Sequence, residues 1–338
     1  MKLAVMMSAG FLLDLILGDP HRLIHPVQMI GWLIDFGKKM AWKLIYGCSY
    51  DEVREKGLER KKNREIFAGF WLAVLVVTVT YAVSAGLLYL AGRIHPWAGY
   101  ALETWMIYRI MATKSLRRES MKVYDRLKAG DLAGARKEIS YLVGRDTQEL
   151  DESEIARADV ETIAENTADG IVAPLFFIAI GGAPLGFAYK AVNTLDSMVA
   201  YRNEELLYLG RFSARLDDIC NFIPARLAAC MMILAAGILR LDFRGAVRIF
   251  LRDRYNHLSP NSAQTEAVAA GALGIRLGGT HTYFGKPVVK PEIGDDLRPV
   301  EYEDIRKTNQ LLYVSAFLTL VVCCFVRIAV FSLLRYIF

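Results

Sequence analysis

The sequence predicts an all-α, polytopic integral membrane protein with about five transmembrane helices and helical cytoplasmic loops. The 338 residues are 54% hydrophobic and only 23% charged. Their mean hydropathy of +0.26 is above the usual value for a soluble chain. Long uncharged runs also alternate with charged segments, as in helices that cross a bilayer. The balance of 41 Lys and Arg against 36 Asp and Glu is too even to indicate nucleic-acid binding.

Three apolar segments are predicted as transmembrane helices. Ile66–Gly92 is the strongest, because its 27 residues carry no charge. At a rise of 1.5 Å per residue it exceeds a hydrocarbon core of about 30 Å. Leu311–Leu334 contains only Arg327, and Ile219–Leu239 contains only Arg226.

Three other segments allow two interpretations each. Ile171–Tyr189 is uncharged but contains two prolines and a Gly-Gly pair, so it is either a kinked span or a re-entrant element lining a cavity. Lys2–Leu17 is short and contains Asp14. A signal peptide is the alternative there, although no small-x-small cleavage site follows. His95–Ile110 either crosses the membrane or lies along its surface.

Clusters of Lys and Arg predict the orientation. Arg60–Arg64 precedes the strongest span, Lys114–Arg118 follows His95–Ile110, and five arginines lie within 240–254. Basic flanks stay in the cytoplasm. We therefore expect a multi-pass protein of the plasma membrane with cytoplasmic catalytic loops. The face on which Lys190–Asp218 lies depends on whether the preceding segment spans.

The chain is predicted to be a single membrane-embedded domain, 1–338, with a soluble helical insertion at about 113–169. Within this insertion, Leu116–Lys128 and Leu132–Val143 have helical patterns and are separated by glycine. An acidic helix is expected to begin near Glu152.

Acidic residues line one face of that last helix. Glu161, Glu165 and Asp169 recur every four residues, which places them on one side of a helix. A solvated face neutralised by arginines would explain them. The acids, however, lead directly into an apolar segment, and carboxylates at a membrane boundary often bind magnesium or a cationic substrate.

A second polar cluster follows the Ile171–Tyr189 segment. Paired acids near arginines suit a magnesium–phosphate complex, because carboxylates bind the metal and guanidinium groups bind phosphate oxygens. Ordinary surface ion pairs are the alternative. The cluster comprises Asn193, Asp196, Arg202, Arg211, Arg215, Asp217, Asp218 and Arg226.

The third cluster surrounds a predicted helix start. Ser259 or Asn261 can cap a helix with Pro260 in its first turn, and the Ala and Gly residues that follow allow close packing. Free N–H groups and hydroxyls at such a position suit phosphate binding. A simple helix cap is the alternative, but it does not explain the flanking His257 and Glu266.

Two further polar segments are less specific. Gly278–Pro287 is Gly-rich and contains a lysine, but Thr280 and Pro287 depart from the P-loop pattern. We interpret it as a loop, with anion contact as the less favoured alternative. Gly18–Gln28 is a polar turn after the first apolar segment, and it is placed to face the same pocket as the other clusters.

Taken in order, these stretches resemble the CobD/CbiB family of cobalamin biosynthesis, the adenosylcobinamide-phosphate synthases. The likeness extends from about residue 10 to 300, whereas 41–60 and 311–338 carry no matching motif. The matching pieces are Leu17–His21 with His25-Pro26, Glu165–Pro174, Asn193–Met198, Asn221–Leu227, Ser259–Ser262 and Gly271–Gly274.

The resemblance implies an ATP-dependent acid–amine ligase of the membrane. Such an enzyme joins (R)-1-aminopropan-2-yl phosphate to adenosylcobyric acid through an amide at one propionate, giving adenosylcobinamide phosphate. We expect ATP and Mg²⁺ as cofactors, and the lipid bilayer and other membrane-associated enzymes of the pathway as partners. The amine donor stays open among aminopropanol phosphate, its ethanolamine analogue and threonine phosphate.

This chemistry suggests a role for each polar group. A carboxylate must be activated before an amine attacks it, and phosphoryl transfer needs metal ligands and cations. His257 is predicted to deprotonate the incoming ammonium; Glu165, Asp169 and Glu266 join it in the catalytic set. The magnesium-ligand pool is Glu165, Asp169, Asp196, Asp217 and Asp218. The predicted ligands of ATP and of the amine's phosphate are Arg202, Arg215, Arg226, Asn166, Asn193, Ser259, Asn261 and Ser262.

Two readings from other classes remain. A magnesium-dependent membrane phosphotransferase or prenyltransferase also needs acids at helix ends, although its usual spaced-aspartate signatures are absent. A non-catalytic membrane regulator on the same scaffold is the other reading. It would not need these dense polar sets.

Overall fold

The computed structural model describes residues 1–19, 25–200, 205–283 and 285–337. These residues form thirteen α-helices and a single antiparallel hairpin, which confirms the predicted all-α class. A π-helical turn, Ala168–Val172, joins the eighth and ninth helices. The helices are α1 (Lys2–Leu17), α2 (Pro26–Tyr46), α3 (Tyr50–Glu55), α4 (Lys62–Ile94), α5 (Pro96–Ile110), α6 (Thr113–Lys128), α7 (Leu132–Ile139), α8 (Glu152–Thr167), α9 (Ala173–Val199), α10 (Arg211–Ile238), α11 (Phe243–Asp253), α12 (Ser262–Leu273) and α13 (Tyr302–Ile337). The strands are β1 (Arg276–Tyr283) and β2 (Lys286–Gly294).

Four helical stretches of the described chain are long and apolar enough to cross a membrane. They are α4, the continuous α8–α9 stretch, α10 and Tyr302–Val330 of α13. The predicted segments Ile66–Gly92, Ile219–Leu239 and Leu311–Leu334 fall on three of them, although α10 and α13 begin eight and nine residues earlier than predicted. The weaker segments form α1 and α5, which pack against each other. With 16 and 15 residues they reach only about 24 Å.

The α8–α9 stretch does not run straight through a bilayer, because α9 folds back on itself. Its backbone leaves the helical region at Gly181 and Gly182, where φ is −133° and 71°. The rings of Phe177 and Tyr189 stack with their centroids 4.9 Å apart, whereas a straight helix would separate these residues by about 18 Å. The segment therefore forms a helical hairpin, the shape expected of the re-entrant alternative, and we call it the re-entrant hairpin. Its position relative to the bilayer stays a prediction.

Side chains from two neighbouring helices satisfy the backbone at the tip of this re-entrant hairpin. Glu103 of α5 accepts a hydrogen bond from the Ala183 N–H at 3.3 Å. Arg327 of α13 donates to the Ile180 carbonyl at 3.1 Å. Irregular backbone at membrane depth is tolerated only where its polar groups find such partners. At Gly182 a Cβ would lie 2.5 Å from a Glu103 carboxylate oxygen, so this position requires glycine.

The α12 helix is buried along its whole length. A Cβ on Gly271 would lie 2.4 Å from the Gly245 carbonyl oxygen of α11, so small residues do allow the predicted close packing. The start of this helix differs from the prediction. Asn261 occupies the N-cap position but makes no capping side-chain bond, because its side chain binds α10 instead. Pro260 precedes the helix and is not in its first turn.

The interpretation of Gly278–Pro287 as a loop was wrong. Strands β1 and β2 pair in antiparallel register, with His281 opposite Val288 and Thr280 opposite Val289. The alternating β-branched residues favour extended backbone. The register shifts between Leu277 and Gly279, and glycine permits this irregularity because φ is 78° at Gly278.

The helices of the predicted insertion lie close to their expected positions. Leu116–Lys128 lies within α6, and the expected Leu132–Val143 ends earlier as α7. The α8 helix begins with a capping box between Asp151 and Glu154. It packs against α12 and α13 and continues through the π-turn into α9. The boundary of the insertion at 113–169 stays a prediction.

Candidate functional site

Aspartates from three successive elements meet at the open end of the re-entrant hairpin. Asp169 lies in the π-turn, Asp196 near the end of α9, and Asp217 and Asp218 in α10. Asp169 interacts electrostatically with Asp217 and Asp196, and Asp196 with Asp217 and Asp218. We call these four residues the carboxylate cluster. The fold-back of α9 brings them together, since it returns the chain to the level of Asp169.

Asp217 is held in place but is only partly satisfied. One carboxylate oxygen, Oδ2, accepts a hydrogen bond from Asn221 Nδ2 at 2.9 Å, and Asn193 also bonds this carboxylate. The Tyr189 hydroxyl donates to Asn221 Oδ1 at 2.8 Å. The second oxygen, Asp217 Oδ1, is buried without a partner. An unpaired buried carboxylate oxygen is costly, so this atom is suited to receive a cation or a donor from a ligand.

Lys190 brings positive charge to the carboxylate cluster, and Asp19 of the N-terminal turn lies near this lysine. Lys190 Nζ lies 3.4 Å from Asn193 Oδ1 and interacts electrostatically with Asp169, Asp217 and Asp19. Asp19 pairs with the buried Arg109 at 2.8 Å. The polar turn expected at Gly18–Gln28 thus does approach the same pocket through Asp19, whereas 20–24 lies outside the described residues.

The segment before α12 is bonded directly to the acidic side chains. Ser262 Oγ donates to Glu165 Oε1 at 2.8 Å, and Ser259 Oγ donates to Asp218 Oδ1 at 3.0 Å. The Asn261 side-chain amide donates to the Asp218 carbonyl at 2.9 Å. The three residues predicted to hold phosphate therefore lie in the site, with their donors bonded to α8 and α10.

The arginines and Asn166 differ in how closely they approach this site. Arg226 donates to Asn261 Oδ1 at 3.3 Å, so it reaches the start of α12. Arg215 is exposed on α10, and Asn166 donates to the Thr162 carbonyl of its own helix. Arg202 lies outside the described residues.

A second group of charges surrounds the β-hairpin end of α8. Glu161 forms a buried ion pair with Arg145 and accepts the Gly278 N–H at 2.8 Å. Lys290 of β2 interacts electrostatically with Glu266 and Glu161. We call the residues next to the β-hairpin the hairpin cluster: Arg145, Glu161, His257, Glu266 and Lys290. The Gly-rich segment thus contacts a carboxylate of the chain through its Gly278 N–H.

His257 has a defined tautomer. Its Nδ1 accepts a hydrogen bond from the Ser259 N–H at 3.1 Å, so the neutral ring carries its proton on Nε2. Burial lowers the pKa of this imidazole, which favours the neutral form. Nε2 is buried without a partner. In this tautomer the free nitrogen is a donor, and the geometry does not favour the general-base role predicted for His257.

Glu266 is the least satisfied charge in the hairpin cluster. Its side chain is 4% exposed, and among the described residues it makes no hydrogen bond. Burial, together with the charges of Glu165 and Glu161, raises the pKa of this carboxyl well above its usual value.

Glu165 lies between the two clusters. It interacts electrostatically with Asp169, Asp196 and Asp217 on one side, and with His257 and Glu266 on the other. The two clusters are therefore parts of one continuous polar site, with Glu165 shared between them.

Several residues of this site were missed from the sequence. Lys190 directly follows the apolar segment and precedes Asn193 by three residues, which was a usable signal. Arg145 and Lys290 carry no such signal, because only the pairing of β1 with β2 and the packing of α8 bring them near Glu161.

In the described residues, no three His, Cys, Asp or Glu side chains are arranged to hold a metal by themselves. Magnesium seldom requires such a cage. It keeps several waters and is commonly bound by one or two carboxylates together with substrate phosphates. The unpaired Asp217 oxygen beside Asp218 and Asp196 fits that mode of binding.

Comparison with known proteins identifies the family. The sequence pattern of the family described as CobD/Cbib protein matches residues 7–312. The cobalamin biosynthesis protein CobD of Clostridium perfringens is 48% identical over 94% of this chain and 96% of its own length. CbiB of Salmonella typhi is 48% identical over 92% of this chain and 93% of its own, and CobD of Citrobacter koseri is 49% identical over 94% and 95%. No solved structure matches significantly. With a family match over most of its length and relatives of nearly half-identical sequence, the chain belongs to the CobD/CbiB family of cobalamin biosynthesis proteins.

Proposed function

We propose that this protein joins (R)-1-aminopropan-2-yl phosphate to adenosylcobyric acid, with ATP, to give adenosylcobinamide phosphate. Family membership supports a step in cobalamin biosynthesis. The observation that carries the proposal is the position of Glu165 between the carboxylate cluster and the hairpin cluster. Forming an amide from a free acid needs one region for phosphate chemistry and an adjacent one for the amine.

The carboxylate cluster is suited to the activation step. A propionate is a poor acyl donor, so its oxygen must first receive the γ-phosphoryl group of ATP. Such a transfer depends mainly on positioning and on neutralising charge. Lys190 and Arg226 can neutralise phosphate oxygens, since both lie at this region. Phosphate binding by Arg202 and Arg215 stays part of the proposal.

Magnesium fits the same region. Asp217, with its unpaired Oδ1, and its neighbours Asp196 and Asp218 would hold the ion; Glu165 and Asp169 complete the pool. When bound, Mg²⁺ would offset the negative charge of the triphosphate. The chain's own contribution is to fix the carboxylates, which it does through Asn221 and Asn193.

The location in the membrane is also part of the proposal. We infer a plasma-membrane enzyme whose site faces the cytoplasm, because basic residues at 60–64, 114–118 and 240–254 flank its apolar helices. ATP and a phosphorylated amine are available on that side. Other membrane-associated enzymes of the pathway would be neighbours there.

Mass spectrometry tests the reaction directly. The purified protein is incubated with adenosylcobyric acid, Mg-ATP and one amine at a time: aminopropanol phosphate, ethanolamine phosphate or threonine phosphate. A corrinoid amidated by aminopropanol phosphate is the expected product, and it should require ATP. Absence of any amidated corrinoid would overturn the proposal. Turnover of a lipid diphosphate in a parallel reaction would instead support a membrane transferase.

A further inference from the structure

Glu266 has neighbours of both charges but no bonding partner. It is 4% exposed, and no residue of the described chain gives it a hydrogen bond. The other two glutamates nearby are satisfied. Glu161 binds Arg145 and the Gly278 N–H, and Glu165 accepts the Ser262 hydroxyl. Glu266 is thus the carboxylate that remains available to a ligand.

The acidic neighbours of Glu266 oppose its ionisation. Burial and the charges of Glu165 and Glu161 raise the pKa of this carboxyl, whereas Lys290 and Arg145 act in the opposite direction. Glu161 and Glu165 already bind partners within the chain, and Glu266 does not. A buried carboxylate without a partner is unfavourable. A positively charged ligand at this position would therefore stabilise the ionised form of Glu266.

An ammonium group is a cation whose chemistry suits this position. An ammonium carries a single charge and three donors, which suits the Glu266 carboxylate with Glu165 beside it.

His257 adds the complementary group for an anion. Its Nδ1 is fixed as an acceptor by the Ser259 N–H, and its buried Nε2 has no partner. The Nε2–H is therefore a hydrogen-bond donor that a ligand oxygen can accept. Lys290, half-buried on β2, brings a positive charge to the same side. A site that binds an ammonium group next to hydrogen-bond donors for an oxyanion is suited to an aminoalkyl phosphate.

We propose that Glu266 binds the ammonium of the amine substrate and takes its proton, while His257 donates a hydrogen bond to the substrate's phosphate. This rests on the amide-forming function proposed above. The R–NH₃⁺ group gives one proton to the Glu266 carboxylate and becomes R–NH₂. The nitrogen lone pair then attacks the carbonyl carbon of the acyl phosphate made from ATP. The C–N bond forms, the C–O bond to phosphate breaks, and phosphate leaves with that electron pair and the second N–H proton.

Hydroxylamine distinguishes a role of Glu266 in binding and deprotonating the amine from a role in activating the carboxylic acid. It is uncharged at neutral pH and traps an acyl phosphate as a hydroxamate, so it needs neither an ammonium site nor a base. Glu266→Gln should lower amide formation at least about 100-fold but keep ATP-dependent hydroxamate formation within about twofold. Glu266→Asp, which keeps the charge, should retain part of the amide activity with a raised KM for the amine. The exposed Glu292→Gln on β2 is the matched control and should match the wild type.

His257 is tested with a donor-preserving change. His257→Gln keeps a side-chain N–H and should retain most of kcat, with a higher KM for aminopropanol phosphate and an unchanged KM for unphosphorylated aminopropanol. A His257→Gln enzyme without activity toward either amine would return the base role to His257 and overturn the proposal. Normal amide formation by Glu266→Gln, or equal loss of amide and hydroxamate, would also overturn it. If the wild type itself forms neither product with ATP, the proposed function fails instead.

Discussion

The Tyr189 hydroxyl, which shares its proton between Asn221 and the backbone carbonyl of Asp169, lies 3.2 Å from that carbonyl oxygen, although Tyr189 and Asp169 are 20 positions apart. In one straight helix they would be about 30 Å apart. The contact fixes the open end of the re-entrant hairpin and brings Asp169 next to Lys190. Four predictions follow from this arrangement and from the groups around it.

Asp169→Asn should reduce amide formation at least about 100-fold, because under the proposed function the carboxylate cluster binds cations for phosphoryl transfer and the amide side chain cannot replace a carboxylate there. The amount of protein inserted in the membrane should not change. Product is quantified by mass spectrometry of the corrinoid. Asp296→Asn, at an exposed ion pair with Arg276, should behave as wild type. Normal turnover by Asp169→Asn would remove this residue from the site.

Gly182→Ala should destabilise the protein by about 1–3 kcal/mol, because φ is 71° there and the added Cβ would press on Glu103. The measurement is the Tm of the detergent-solubilised protein. Gly86→Ala in α4 is the control, since a Cβ at that position meets open space. Equal Tm values for the two variants would contradict the tight turn at the tip.

The protein should lose stability as the pH falls from about 6.5 toward 4. Burial and the charge of Arg145 lower the pKa of His281 to about 4, so the unfolded chain takes up this proton first. The contribution of His281 is complete above its unfolded pKa and disappears as the pH approaches the folded value. The shift from 6.5 to about 4 corresponds to at most about 3 kcal/mol. His281→Asn should lack this part of the pH dependence in thermal unfolding, and an identical pH profile would refute the assignment.

Cysteine labelling should place both ends of the α8–α9 stretch on the same face of the membrane. In a cysteine-free background, Glu152→Cys and Ser197→Cys, both exposed, should react with an impermeant maleimide in inside-out vesicles but not in intact cells. Arg93→Cys, at the far end of α4, should show the opposite pattern. Reaction of Glu152→Cys and Ser197→Cys from opposite faces would contradict the re-entrant hairpin.

Local patterns predicted much of the fold. Hydropathy alone located α4 and α13, and the acidic spacing predicted that Glu161, Glu165 and Asp169 occupy one helix. Periodicity did not reveal that these three acids serve different neighbours. Glu161 binds Arg145, Glu165 binds Ser262, and Asp169 belongs to the carboxylate cluster. The reason is that the β-hairpin, α12 and α10, in this order, pack at successive levels along α8 and the π-turn.

Two features near the hairpin cluster were not given by the sequence patterns. The β-hairpin was taken as a loop because its glycines obscured the alternation that continues through Thr282 and Val288. The role of His257 stays a prediction; the structure adds its tautomer, which the Ser259 N–H sets and which the ordinary pKa of histidine could not indicate. Nothing in the sequence near position 257 specifies which ring nitrogen is occupied.

The reversal of the chain at Gly181-Gly182 also bears on how substrates would reach the site. It sets the two limbs of α9 side by side, and Glu103 and Arg327 bond the backbone at the tip. The carboxylate cluster lies at the opposite, open end. Under the proposed function, corrinoid, nucleotide and amine would therefore all approach from that one end.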